Sequence, residues 1–202
     1  MIVIVDYGIG NLGSIFNMFK KIKVDSKISS DIREIEKAEK ILLPGVGAFD
    51  NAMKRINELK LKQVLDYKAL EQKIPILGIC LGMQLLTSES EEGVEKGLEW
   101  IEAETLKFRF NDRNLKIPHM GWNVVNTSYE SQLTMNLPKE TRFYFVHSYY
   151  VKVKNENNSI LKTNYGIEFD SAIQKDNIFG AQFHPEKSHR FGMKLFENFS
   201  KI

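Results

Sequence analysis

Ile74-Pro75-Ile76-Leu77-Gly78-Ile79-Cys80-Leu81-Gly82 is a short apolar segment that leads into the only cysteine of the chain, and Met83-Gln84-Leu85-Leu86 reads as the start of a helix. A strand, a glycine-flanked nucleophile and a helix together make a nucleophile elbow, here with cysteine instead of serine. The flanking glycines leave room for a sharp turn that presents the sulfur beside backbone N–H groups. A buried, inert thiol is the alternative reading of a lone cysteine.

Composition limits the classes of protein to which the chain can belong. Its 202 residues are 43% hydrophobic and 27% charged, which predicts one globular domain spanning residues 1–202. A net charge of +2 argues against a nucleic-acid role. One cysteine excludes an internal disulfide and a cysteine-rich zinc site, so no metal is expected. The apolar start, Met1–Val5, is too short for a signal peptide, and no run is long enough for a membrane span, so we expect a cytoplasmic protein.

Short apolar strands alternate with helical patterns in the first half of the chain. This order predicts an α/β fold with a mostly parallel sheet, helices on both faces and a site at the carboxyl ends of the strands. The predicted strands are Ile2–Val5, Ser26–Ser29, Ile41–Leu43 and the run into Cys80, and the predicted helices are Asn11–Ile22, Ala48–Leu59 and Lys62–Gln72.

Extended segments dominate the second half and predict an antiparallel layer that continues or flanks the parallel sheet. The acidic stretch Ser88–Lys96 is interpreted as a solvated loop. The extended segments are Thr105–Phe110, Trp122–Asn126, Arg142–Val153, Ser159–Thr163, Phe169–Lys175 and Ile178–Phe183, followed by a closing helix at Phe191–Phe199.

The glycines from Gly8 to Gly13 match the G-x-G-x-x-G pattern of dinucleotide-binding proteins. Two features argue against that interpretation: Asp6-Tyr7 separates the strand from the first glycine, and Asp25 precedes the second strand, whereas the ribose-binding acid ends it. We therefore interpret this loop as a partner-contacting loop, and no cofactor is expected.

A cysteine nucleophile needs a base, and the base needs a group that orients it. His184 follows an apolar strand in Gln182-Phe183-His184-Pro185-Glu186. Residues two apart in an extended segment point the same way, so Glu186 is placed to hold the imidazole. A structural histidine at a strand end is the alternative, and the cysteine elbow favours the catalytic one.

Acyl transfer also needs an oxyanion hole. The backbone N–H of Leu81, directly after the nucleophile, is one predicted donor. Pro44-Gly45-Val46-Gly47 ends the preceding strand and is the predicted source of the second donor, from the peptides around Val46 and Gly47. An ordinary strand-end turn explains the same four residues equally well.

The segment Gly78–Gln84 and the segment His184-Pro185-Glu186 together resemble the class I (triad) glutamine amidotransferases. The resemblance implies a flavodoxin-like three-layer sandwich with a mostly parallel central sheet and an antiparallel extension. It also implies a Cys80-His184-Glu186 triad that hydrolyses L-glutamine to glutamate and ammonia. The glutamine site implied by the family consists of Gly47, Gln84, His147, Ser148 and Tyr149.

Further segments along the whole chain resemble the glutaminase (HisH) subunits of imidazole glycerol phosphate synthase. The resemblance implies a heterodimer with a (β/α)8-barrel cyclase subunit, HisF, which uses the ammonia to make imidazole glycerol phosphate and aminoimidazole carboxamide ribotide. The implied partner interface contains Asn11, Trp122, Tyr144 and Lys187. The segments that carry the resemblance are Asp6–Leu12, Pro44–Phe49, Pro118–Asn123, Tyr144–Tyr149 and His184–Ser188.

One departure and three alternatives remain. The family often has a small residue after Ser188, where this chain has His189. Similar subunits supply ammonia for amidinating sugars of surface polysaccharides, and only the partner and the acceptor would differ. A related cysteine hydrolase is a second alternative, against which Gln84 and His184-Pro185-Glu186 argue. A non-catalytic binding module requires an unreactive Cys80.

Overall fold

The computed structural model describes residues 1–202, which form thirteen strands and six α-helices. The helices are α1 (Leu12–Lys21), α2 (Ile32–Glu36), α3 (Phe49–Glu58), α4 (Leu61–Asp66), α5 (Leu81–Leu85) and α6 (His189–Lys201). The strands are β1 (Ile2–Val5), β2 (Ser26–Ser29), β3 (Lys40–Leu43), β4 (Ile76–Ile79), β5 (Glu89–Ser90), β6 (Ala103–Lys107), β7 (His119–Val124), β8 (Asn126–Thr127), β9 (Arg142–His147), β10 (Tyr149–Val153), β11 (Ser159–Tyr165), β12 (Ile167–Lys175) and β13 (Ile178–Ala181).

A parallel half-sheet with the order β2-β1-β3-β4-β13 forms the centre of the molecule. Strands β3, β4 and β13 are adjacent, so the residues that follow them meet at one edge of the sheet. Pro44 follows β3, Cys80 follows β4 and His184 lies just after β13. The predicted mostly parallel sheet is confirmed, and the candidate site residues lie at the carboxyl ends of its strands.

Two apolar layers cover the faces of this half-sheet, as the period of two along a strand requires. On one face, Ile2 and Ile4 of β1 belong to a buried cluster with Phe19 of α1 and Phe196 of α6. On the other face, Val3 and Val5 belong to a cluster that includes residues of α2, α3 and α4. The three-layer sandwich is therefore built from both faces of the same short strands.

The antiparallel extension begins where β13 pairs with β12, and it continues through β10 to β6. Strand β11 pairs with β12 and β8, and β5 pairs in parallel with β6. Strands β7 and β9 form a separate antiparallel pair. This pair lies at the site, because Pro118 precedes β7 and His147 ends β9.

Three details differ from the sequence-based expectations. The expected strand Arg142–Val153 is two strands, because β9 pairs with β7 whereas β10 pairs with β6 and β12. Helix α2 was not predicted; it is only five residues long and is capped by Asp31, whose side chain accepts from Arg33 N. The expected helix Lys62–Gln72 is α4 followed by a π-helical turn at Tyr67–Glu71.

The acidic stretch Ser88–Lys96 is also more ordered than a solvated loop. It contains β5, and Glu91 accepts hydrogen bonds from Lys107 N and the Arg109 guanidinium. The Asp50 carboxylate accepts from the backbone N–H of Val94 at 3.0 Å. The stretch is therefore fixed against both α3 and β6. No helix of the structure combines the length and the apolar character that a membrane crossing needs.

Candidate active site

Cys80 occupies a strained turn between β4 and α5, with φ 53° and ψ −108°. A β-carbon at Gly78 would lie 2.4 Å from the Gly82 carbonyl oxygen, and one at Gly82 would lie 1.9 Å from the Leu43 carbonyl oxygen. Both distances are too short for any side chain, so the elbow exists only with glycine at these two positions. Cys80 is 6% exposed and lines a cleft, so its thiol is largely buried but accessible from that cleft.

The cleft has a volume of about 310 Å³ and opens at the carboxyl edge of the parallel strands. It brings together the expected nucleophile, base, oxyanion residues and substrate residues from four separate segments of the chain. Glu92, Pro118 and Val146 complete its lining. The expected residues among those that line the cleft are Val46, Gly47, Cys80, Leu81, Gln84, His147, Ser148, Tyr149 and His184.

His184 and Glu186 form a buried pair, with 2.8 Å between His184 Nδ1 and Glu186 Oε1. The contact was expected, but the reason given for it was wrong, because Pro185–Lys187 is a turn of 3-10 helix and not an extended segment. Ser188 fixes this turn: its hydroxyl donates to the His184 carbonyl and accepts from Tyr144 N. The turn therefore brings the carboxylate back to the imidazole of a residue only two positions away.

The other ring nitrogen, His184 Nε2, is buried and has no hydrogen-bond partner. Burial lowers the pKa of His184, but the nearby Cys80 sulfur and the Glu186 carboxylate outweigh burial and raise this pKa above its ordinary value. Glu186 keeps Nδ1 protonated, so Nε2 is the nitrogen that exchanges a proton in the cleft. A protonated His184 beside the sulfur stabilises negative charge on it.

The two expected oxyanion donors are not assembled in this structure. Leu81 N–H donates to the Gly45 carbonyl, with 3.3 Å between nitrogen and oxygen. Because the carbonyl and N–H of one peptide point in opposite directions, the N–H of Val46 faces away from Leu81. The buried Tyr7 hydroxyl donates to the Pro44 carbonyl and so ties this loop to the start of the chain.

His147, which lines the cleft, forms a hydrogen-bonded pair of neutral histidines with His119 behind it. Burial lowers the pKa of His147 to about 3 and that of His119 to about 4. The Tyr149 carbonyl, which only accepts, lies 2.7 Å from His147 Nδ1, so this nitrogen carries the proton. His147 Nε2 therefore accepts from His119 Nδ1 at 2.9 Å. Each histidine of the pair therefore carries its proton on Nδ1, and His147 donates that proton to the Tyr149 carbonyl.

Two residues at the site were missed by the sequence analysis. Glu92 is the only carboxylate that lines the cleft, and its Oε2 accepts from Phe49 N at 2.9 Å. No local pattern distinguishes it from its acidic neighbours. Gln182 is fully buried, and its Nε2 lies 3.7 Å from Cys80 Sγ. Its position two residues before His184 was the available signal, because alternate residues near a strand end face the same side.

Aromatic side chains lie further along β7 and β9, the strand pair whose one end borders the cleft. Trp122 and Tyr144 pair across these strands, and Lys187 Nζ lies 5.7 Å from the Tyr144 ring centre. Trp122 is 43% exposed, so it is not a core residue. His189 stacks on Trp122 with ring centres 5.7 Å apart, and it adopts a φ of 48°. Exposed Asn11 precedes α1, and Ser14 of that helix lines a surface cleft with Lys187.

The family model for glutamine amidotransferase class-I matches residues 3–202 of this chain. The chain belongs to the class I glutamine amidotransferase family. No cluster of three or more His, Cys, Asp or Glu side chains in it has the arrangement of a metal site.

Curated relatives in the class I glutamine amidotransferase family cover the whole chain. The relative from Methanococcus maripaludis, imidazole glycerol phosphate synthase subunit HisH 2, is 55% identical over all of this chain and 99% of its own. A protein of the same name from Pseudomonas aeruginosa is 46% identical over the full length of both. The solved structure of PurLQS from Thermotoga maritima has a TM-score of 0.74 at 18% identity, covering 98% of this chain and 96% of that one, and shares the fold.

Proposed function

We propose that this protein is the glutaminase subunit of an imidazole glycerol phosphate synthase in histidine biosynthesis. It hydrolyses L-glutamine and passes ammonia to a (β/α)8-barrel cyclase of the HisF type. The observation that carries the proposal is the pairing of buried His184 with Glu186 at 2.8 Å, while His184 Nε2 is left unpartnered beside Cys80 at the elbow. Relatives that carry the HisH name along their whole length support the pathway.

Cys80 Sγ attacks the side-chain amide carbon of glutamine after its proton has passed to His184 Nε2. The tetrahedral intermediate collapses as His184 gives that proton to the leaving nitrogen, which departs as ammonia. A thioester between Cys80 and the glutamyl group remains. Water, deprotonated by His184, adds to the thioester, and its collapse releases glutamate and the sulfur. Glu186 orients the imidazole and stabilises its cationic form throughout.

The lining of the cleft supports glutamine as the substrate. Glutamine carries an ammonium group at the end remote from the amide, and Glu92 is the only carboxylate of the lining. We assign Glu92 to that ammonium group. Gly47, Gln84 and the segment His147-Ser148-Tyr149 form the surrounding walls.

The partner surface follows from the need to keep ammonia unprotonated on its way to the acceptor, which requires a second protein over the cleft. An exposed apolar strip runs along β7, which begins directly after Pro118 of the cleft lining: Met120, Trp122 and Val124 alternate along the strand and are 61%, 43% and 44% exposed. Tyr144 and Val146 face Trp122 and Met120 on β9. With Asn11 and Lys187, this strip is the proposed contact with the barrel, and the complex is placed in the cytoplasm.

Trp122→Ala will weaken the complex by about 2 kcal/mol or more, roughly thirtyfold in Kd, because exposed tryptophans at an interface often act as anchors. Titration calorimetry with the barrel subunit measures this. Tyr67→Ala is the matched control: Tyr67 is 45% exposed, and it lies on the segment that enters β4 at the opposite edge of the sheet. Equal effects of the two variants on Kd would show that Trp122 is not part of the interface.

The isolated chain will hydrolyse glutamine slowly, and the barrel with its acceptor bound will raise the rate. The physical reason is that Leu81 N–H is hydrogen-bonded to the Gly45 carbonyl and cannot donate to the oxyanion. Rotation of the Gly45–Val46 peptide frees Leu81 N–H and turns Val46 N–H toward it, and one oxyanion donor is worth about 10²–10³ in rate. The partner drives this rotation only if it binds the rotated loop more tightly than the unrotated loop. The measurement is glutamate release by the chain alone, with the barrel, and with barrel and acceptor.

Equal rates in all three mixtures would contradict this regulation. Gly47 has a φ of 114°, which an alanine disfavours, so Gly47→Ala will change the ratio of stimulated to basal rate. A variant that lowers both rates by one factor would show that the loop rotation is not the regulated step. Stimulation by a partner other than a HisF-type barrel would instead assign the ammonia to a different acceptor, such as a sugar of a surface polysaccharide.

A further inference from the structure

Gln182 presents its side-chain amide to the nucleophile from inside the protein. The residue is fully buried, and its Nε2 lies 3.7 Å from Cys80 Sγ. No other acceptor is within hydrogen-bond distance of this nitrogen. The residue does not line the cleft, so the amide has no direct access to a ligand bound there.

The orientation of the Gln182 amide follows from one unambiguous acceptor. The Tyr149 carbonyl lies 3.3 Å from Gln84 Nε2, and since a carbonyl only accepts, this end of Gln84 is its NH2 group. The second hydrogen of that group points to Gln182 Oε1 at 3.1 Å. Gln182 therefore turns its oxygen to Gln84 and its NH2 group to the sulfur. The same Tyr149 carbonyl also accepts from His147, so the chain of hydrogen bonds from Tyr149 through Gln84 to Gln182 begins at a carbonyl whose position is fixed.

The protonation state of Cys80 Sγ decides whether burying the Gln182 NH2 group beside it is favourable. A buried amide N–H without a good acceptor is costly, and a thiol sulfur is a weak acceptor. A thiolate is an anionic acceptor, and hydrogen bonds to charged groups are stronger than those between neutral groups. In the thiol form, the S–H group has the Val146 carbonyl as its acceptor, at 3.9 Å. The hydrogen bond from the Gln182 amide is therefore strongest when Cys80 is deprotonated.

We infer that Gln182 is a further catalytic residue of this site: its side-chain amide donates to Cys80 Sγ and stabilises the thiolate, with Gln84 holding the amide in the donating orientation. Its part in turnover rests on the glutaminase function proposed above. The hydrogen bond holds the anionic sulfur before attack. It is regained when the thioester intermediate breaks down and the C–S electron pair returns to the sulfur, so both half-reactions depend on it.

The reactivity of the only cysteine tests this directly. Iodoacetamide alkylates the thiolate, and intact mass measures the extent, because no second thiol competes. In Gln182→Leu the pH of half-maximal alkylation rate will rise by about one unit, which lowers the rate below that pH about tenfold. An unchanged pH profile in a variant with the wild-type melting temperature would overturn the inference.

A second variant keeps the test decisive if Gln182→Leu unfolds. Gln182→Glu has nearly the same shape and keeps the oxygen that Gln84 needs, but replaces the donor with an oxygen atom. The pH of half-maximal alkylation will rise in this variant too, and an unchanged profile would overturn the inference. Asn198→Leu is the matched control, since Asn198 is a buried amide of α6 that donates to the Leu133 and Met135 carbonyls and does not line the cleft. A shift in the control equal to that in the Gln182 variants would also overturn it.

Glutamine turnover separates this inference from the proposed function. In Gln182→Glu, kcat in the complex will fall about tenfold while KM for glutamine stays unchanged, because Gln182 does not line the cleft. A raised KM with unchanged kcat would assign Gln182 to substrate binding instead. If wild-type complex releases no glutamate but the alkylation profile shifts as expected, the glutaminase function fails and the thiolate role of Gln182 stands.

Discussion

Cys80→Ala will abolish glutamine-dependent synthesis by the complex and leave ammonium-dependent synthesis at the wild-type rate. The alanine has no sulfur to form the thioester, and no other cysteine can replace it. In the proposed function the acceptor chemistry belongs to the partner, so added ammonium bypasses the missing step. The fold will be unaffected, because the sulfur faces the cleft and its loss leaves no closed cavity in the core.

Two measurements check this expectation on the same preparation. Glutamate release reports the cysteine step, and product formation with an ammonium salt reports an intact, assembled complex. Glutamate release above the background of a heat-inactivated sample would show that Cys80 is not the nucleophile. Loss of both activities together would show that the substitution disrupts the complex, which the structure does not predict.

His184→Ala will cost almost as much as the loss of Cys80, several orders of magnitude in kcat, because nucleophile and base act as one unit. Glu186→Gln will cost less, since the carboxylate orients and stabilises the imidazole without exchanging the reacting proton. The glutamine amide presents either an oxygen or an NH2 group to His184 Nδ1, so hydrogen bonding is partly kept. Single-turnover glutamate release measures the three variants on one scale.

Folding has to be controlled in this series, because both side chains are buried, with 2% and 1% exposure. His184→Asn and Glu186→Gln keep a polar group in each position and serve as the folded comparison, checked by melting temperature and by affinity for the barrel. Equal losses in Glu186→Gln and Cys80→Ala at equal melting temperature would contradict the assigned order. A small loss in both His184 variants would exclude His184 as the base.

The parallel half of the fold was predictable from local patterns. Strand β1 and the strand into Cys80 are short apolar runs, and α1 and α3 between them are amphipathic helices of ten residues each. The five-residue helix α2 is too short to give such a pattern. The antiparallel half was predicted less well. An apolar run such as Arg142–Val153 does not show where a strand changes its partner, because β9 and β10 present the same residue types to different neighbours.

The same distinction applies to the site. Cys80 and His184 stand in motifs that local chemistry makes recognisable, and the structure brings both to one cleft. Glu92 is placed by the pairing of β5 with β6, which no short pattern reveals. The hydrogen bond from Leu81 N–H to the Gly45 carbonyl depends on the orientation of one peptide in the Pro44–Gly47 loop. The same four residues are compatible with either orientation, so the sequence does not predict which one is present.

Strand β13 lies between β4 and β12, although its residues are synthesised about a hundred positions after those of β4, as the 102-residue separation of Gln182 and Cys80 shows. A central strand that arrives so late gives the fold many non-local contacts, which slow its formation. On the ribosome, Cys80 therefore emerges long before the imidazole and the amide that will surround it. The nascent chain carries an unactivated thiol, and competence to release ammonia begins only when insertion of β13 closes the sheet.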